Sequence, residues 1–134
     1  MHSAKFEKKP ANTILEVLDI EMVEVSPDRV VATMPVGPKV HQPFGILHGG
    51  ASVVLAESVA SLGATANVDL GKQRAVGLEI NANHIRSKKE GLVTATATPL
   101  HKGRKTHVWT IEIKDEQDKL ICTSRCTVAI IDIE

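Results

Sequence analysis

Apolar positions along the chain follow two periods, and the switch between them outlines the fold. Residues 20–25 and 29–35 are short runs rich in apolar and β-branched residues, and Ser26-Pro27-Asp28 between them has turn composition. Two strands joined by a tight turn are therefore predicted. Before them, residues 11–18 read as a short helix with Ile14, Leu15 and Leu18 on one side and Asn12 as its cap. Residues 37–47 hold two prolines and two glycines and read as a loop.

Residues 49–67 change character. Ala, Val and Leu cover nearly the whole circumference of a helix here, with Glu57 and a few serines as polar points, and a helix apolar all round is a buried one. Alternation then follows. Strands are predicted over 75–86, 91–99, 105–113 and 120–131, with Asp115-Glu116-Gln117-Asp118 as a turn. In the third of these, His107, Trp109, Ile111 and Ile113 alternate against Val108, Thr110 and Glu112. Consecutive strands with short turns pair antiparallel. The result is an α+β architecture: an antiparallel sheet curved around one long helix, in a single domain spanning 1–134. Such a sheet has open edges, which a second copy could cover, so at least a dimer is expected.

Composition narrows the function classes. Sixteen basic residues balance sixteen acidic ones, which leaves no general electropositive surface for nucleic acid or anionic membrane. Trp109, Phe6 and Phe44 are the whole aromatic complement, too few for base-stacking platforms. Residues 1–10 are polar and basic without a following apolar core, so no secretory signal is expected. The longest apolar stretch, 49–66, is interrupted by Ser52, Glu57, Ser58 and Ser61 and does not make a membrane span. A cytoplasmic protein is expected. Cys122 and Cys126, four apart on one strand, would lie about 13 Å apart and cannot pair with each other, so two buried thiols are expected.

The chemistry concentrates in His41-Gln42-Pro43-Phe44-Gly45-Ile46-Leu47-His48-Gly49-Gly50, which runs straight into the helix that carries Glu57. Free N–H groups at a helix N-terminus point outward with the positive dipole end behind them, and glycine lets a ligand come close. His48-Gly49-Gly50 is thus a candidate oxyanion hole, with an ordinary glycine-rich helix start as the plain alternative. Glu57 has no basic residue three or four positions away, so it needs either a partner from elsewhere or a cavity in which it acts. Ser61, one turn on, shares its face and could hold a water or serve only for helix packing. Glu79, Asn81, Asn83, His84 and Arg86 form a second polar group, and His101-Lys102-Gly103-Arg104-Lys105 is either a solvated basic turn or a grip for phosphates. No zinc spacing, P-loop, dinucleotide fingerprint or serine elbow is present.

Taken together, His41 to Gly50, Ala56-Glu57, Asn81-Ala82-Asn83-His84 and Gly103-Arg104 resemble the hotdog-fold acyl-CoA thioesterases of the PaaI-like superfamily. The subgroup they most resemble includes 1,4-dihydroxy-2-naphthoyl-CoA and glutamate-type 4-hydroxybenzoyl-CoA thioesterases. The resemblance implies a hotdog fold and hydrolysis of an acyl-CoA, with no metal or other cofactor because CoA belongs to the substrate. It implies Glu57 as nucleophile or general base and the Gly49 N–H as the group that polarises the carbonyl. Gln42 and His48 would position the thioester and support Glu57, while Ser61 and His84 would line the acyl pocket or assist the water. Arg86, Gly103, Arg104 and Lys105 would hold the CoA phosphates. A homotetramer, built as a dimer of dimers with sites at subunit interfaces, goes with that family. An acyl-thioester dehydratase on the same fold would need a His-centred motif that the helix and its leading loop lack, and a non-catalytic acyl-CoA sensor is the other alternative.

Overall fold

A computed structural model describes residues 11–133; the 1–10 segment, including Phe6 and the region read for a signal, lies outside them. The elements are α1 (Ile14–Val17), β1 (Glu21–Ser26), β2 (Arg29–Val36), a 3-10 turn (Pro38–Val40), α2 (Gly49–Thr65), β3 (Gln73–His84), β4 (Gly91–Lys102), β5 (Thr106–Lys114) and β6 (Leu120–Asp132). All six strands form one antiparallel sheet in the order β1-β2-β4-β5-β6-β3. The strand that follows α2 therefore does not pair with the strand after it. It crosses to the far edge and pairs with β6, while β2 pairs with β4. This is the hotdog fold, with the sheet wrapped around α2.

The crossing is possible because α2 is long. Seventeen residues extend about 26 Å, and five strand spacings come to about 24 Å. The helix touches every strand of the sheet. Its sheet-facing side consists of Ala51, Ser52, Leu55, Ala56, Val59, Ala60, Gly63 and Ala64, all buried. Small residues dominate that face and let the curved sheet come close. Trp109 of β5, fully buried, lies directly against Gly63.

The alternation read for β5 holds: His107, Trp109, Ile111 and Ile113 are all buried, and the last three join Met22, Met34, Leu55, Val59 and Val128 in one core. Cys122 and Cys126 are buried and free.

Three local expectations change. Asn12 does not cap α1: it adopts φ 62°, Thr13 takes the cap position, and Glu16 reaches back to accept from the Asn12 N–H at 3.0 Å. α2 ends at Thr65 rather than residue 67, because the Asn67 side-chain amide donates to the Gly63 carbonyl and to Pro27 O, both at 2.8 Å, and turns the chain away. And α2 is not buried on every side. Val54, Glu57, Ser58 and Ser61 form a half-exposed stripe opposite the sheet, because the sheet curves around only one side of the helix. No described helix is long and apolar enough to cross a membrane.

Candidate active site

The N-terminus of α2 leaves one backbone donor free. His48 is the N-cap in extended geometry, and its Nδ1 accepts from the Gly50 N–H at 2.7 Å. Its carbonyl takes the N–H groups of Ala51 and Ser52 at 3.0 and 3.3 Å. The Gly49 N–H finds no acceptor among the described residues, and it points outward at the positive end of the helix dipole. His84 from the end of β3 lies against it: a Cβ on residue 49 would meet His84 Nε2 at 2.6 Å. Glycine is needed here for close approach. The pocket in front of this donor, of about 320 Å³, is lined by Gln42, Gly49, Ser52, His84, Ile85 and Arg86, among others.

The loop before the helix is held firmly. Residues 42–46 form a tight hairpin in which Gln42 N–H donates to Ile46 O and Gly45 N–H donates to Gln42 O, with Gly45 at φ 81°. Gln42 Oε1 accepts from the Phe44 N–H within the same turn. The hairpin is pinned from outside, since Leu47 N–H donates to Lys88 O and His41 Nε2 bonds Lys89 O, both at 2.7 Å.

Glu57 sits elsewhere. It was expected to be buried, but it is half-exposed at the floor of a groove of about 440 Å³ lined by Thr13, Ile14, Leu15, Val54, Ser58 and Ser61. Its carboxylate rests on the α-carbon of Gly77 in β3. The strand bulges between Gly77 and Glu79, so the backbone passes close beneath the acid. Cys126 lies near enough that Glu57, together with Glu79, adds to the main effect of burial, and the thiol is raised to about 11. That Cys is inert at neutral pH.

Within one chain, then, the predicted residues separate. Gln42, Gly49, His84 and Arg86 come together in one pocket; Glu57 and Ser61 share another groove. His48 lines a third hollow with His41 and Val54, and Val54 also borders the Glu57 groove. Gly49 and Glu57 are eight residues apart on a straight helix, about 12 Å along its axis. They lie against residues 84 and 77, which are seven positions apart on β3, roughly 23 Å. A carbonyl held by Gly49 is out of reach of the same chain's Glu57. Gly103, Arg104 and Lys105 form the β4–β5 turn, closed by Gly103 N–H to Thr106 O at 2.8 Å, and border neither pocket. Neighbouring Lys102 is already engaged by Asp28 and Asn67.

Residues 44–122 match the thioesterase superfamily. The chain belongs to that superfamily. It is a thioester hydrolase, and this thioesterase has relatives with named substrates: 1,4-dihydroxy-2-naphthoyl-CoA hydrolase of Listeria monocytogenes is 54% identical over 86% of this chain and 93% of the relative. The Escherichia coli hydrolase of the same name is 53% identical over 85% of this chain and 83% of the relative. Among solved structures, a Haemophilus influenzae thioesterase superposes with a TM-score of 0.89 at 42% identity, covering 97% of this chain and 94% of the other.

Sequence reasoning missed Gly77 and the Thr13-Ile14-Leu15 wall. Gly77 had a signal, since an isolated glycine inside a strand marks a bulge or a close approach. The wall had none, because nothing local to residues 13–15 says which part of α2 they will face.

Proposed function

We propose that the thioesterase cleaves an aromatic acyl-CoA, of the 1,4-dihydroxy-2-naphthoyl or hydroxybenzoyl kind, in a site built by two copies of the chain. One copy supplies the Gly49 N–H to the thioester oxygen, with Gln42, His48 and His84 around it. The other supplies Glu57, with Ser61 beside it. The observation that carries this reading is the separation of about 12 Å along α2 between two groups that must act within hydrogen-bond distance of one carbonyl. The aromatic preference is supported by the two relatives named for the naphthoyl thioester.

Glu57 then acts in one of two ways. As general base it takes a proton from water, the hydroxide adds to the carbonyl carbon, and the oxyanion is held by the Gly49 N–H. Collapse expels the CoA thiolate, which takes up the proton. As nucleophile it adds to the carbonyl itself and expels the thiolate, and water then hydrolyses the mixed anhydride. Neither route calls for a metal or another cofactor. Arg86 and the basic turn of Gly103, Arg104 and Lys105 suit the phosphates of CoA.

The assembly we propose is a homotetramer, a dimer of dimers. β3 is an open edge strand, and on it Val76 is 45% and Leu78 61% exposed, which favours edge pairing with a second copy. Two free buried thiols fit a reducing, cytoplasmic setting.

The test is thiol release from a panel of aromatic and aliphatic acyl-CoAs by wild type and Glu57→Ala. Wild type should cleave the aromatic thioesters, and the variant should be slower by roughly 10²- to 10⁴-fold. Full activity in Glu57→Ala ends the catalytic assignment.

A further inference from the structure

Phe44 is 89% exposed, the highest value among the large apolar side chains described. It stands at the tip of the pinned 42–46 hairpin, next to Gln42 and Ile46, which line the Gly49 pocket. A projecting aromatic on a rigid turn is prepared for contact at little cost in ordering. Among the described residues its side chain is left almost wholly uncovered.

The Glu57 groove shows the converse. It has an aliphatic wall from Ile14, Leu15 and Val54, hydroxyls from Thr13, Ser58 and Ser61, and, among the described residues, no aromatic side chain. Ile14 itself is 54% exposed. The groove's volume of about 440 Å³ is in the range of small-ligand sites, yet one side is open.

We infer that Phe44 of a second copy closes this groove, so that a hydroxylated aromatic acyl group lies between Phe44 of one copy and Ile14 and Leu15 of the other. The inference rests on the two-copy site proposed above. A carbonyl bridging Gly49 of one copy and Glu57 of the other brings the surroundings of both groups to opposite sides of the same acyl chain. Beside Gly49 the projecting group is Phe44; beside Glu57 it is the Ile14–Leu15 wall. An aromatic ring offers its face to Phe44, and the Ser61 hydroxyl, with Ser58 Oγ as an acceptor since it donates to Val54 O, offers partners to ring hydroxyls.

Two measurements test this. The first compares kcat/KM on 4-hydroxybenzoyl-CoA and on a short aliphatic acyl-CoA for wild type, Phe44→Ala and Phe44→Leu. Phe44→Ala should lose about tenfold more on the aromatic substrate than on the aliphatic one, with Phe44→Leu between. Equal losses on both would put Phe44 on the CoA arm and overturn the inference, as would absence of wild-type turnover on the aromatic thioester. The second mixes chains. In an oligomer of Phe44→Ala with Glu57→Ala, one site receives Phe44 and Glu57 both intact, so aromatic turnover should rise above the mean of the parents. The control pairs Gln42→Ala with Glu57→Ala. If the control recovers activity and the Phe44 pair does not, Phe44 acts elsewhere while the two-copy site stands. If neither recovers, the two-copy site fails and this inference falls with it.

Discussion

The Glu57 carboxylate lies directly on the α-carbon of Gly77, so close that a Cβ there would overlap Oε2. Glycine at this bulge leaves the space in which the acid is held. Gly77→Ala must push the carboxylate aside, and misplacement by an ångström costs on the order of 10²-fold in rate. We expect kcat to fall at least tenfold while circular dichroism and melting stay near wild type, because the clash falls on the end of the flexible Glu57 side chain. Undiminished kcat would mean that the seat of Glu57 is irrelevant to the chemistry.

Gly63 and Trp109 meet in the same manner, but in the core. A Cβ on Gly63 would collide with three atoms of the indole ring. Alanine ordinarily favours a helix over glycine by about 1 kcal/mol. Here overpacking should outweigh that gain, costing about 1–3 kcal/mol. Gly63→Ala should therefore lower the denaturant midpoint, measured by urea unfolding, even though α2 gains a better helix former.

His107 is 4% exposed, and its Nδ1 accepts from the Trp109 indole N–H at 3.3 Å. The neutral ring thus carries its proton on Nε2. Burial, then the charges of Lys102 and His101, hold its pKa below the ordinary 6.5. As pH falls through 6.5, the unfolded chain takes up the proton before the folded one does, so stability declines until pH passes below the lowered folded value. Above 6.5 this group contributes no slope. Melting temperatures from pH 8 to 5 should show a steeper acid loss in wild type than in His107→Gln; identical slopes would rule out the effect.

Much of this was legible along the chain. The alternation from His107 to Ile113 marked β5 as a strand, since a side-chain period of two is local. The apolar composition of residues 49–67 announced the central helix. Glu57 stood out as a lone acid in that run, and His48-Gly49-Gly50 as a helix start with a free donor, because both depend on residues within a few positions.

What lay beyond reach depends on distance in sequence. That β3 crosses to pair with β6, that Gly77 seats Glu57, and that α1 walls the groove are contacts between segments separated by tens of residues. The open stripe on α2 is of the same kind: composition said apolar all round, but only the curvature of the sheet decides which side stays uncovered. The sequence by itself determined the elements and the candidate acid and donor, because propensity and periodicity are local. Tertiary structure alone decided that His84 comes against Gly49 and Gly77 against Glu57, so that the two groups open into separate pockets, because strand pairing and sheet curvature join segments distant in sequence.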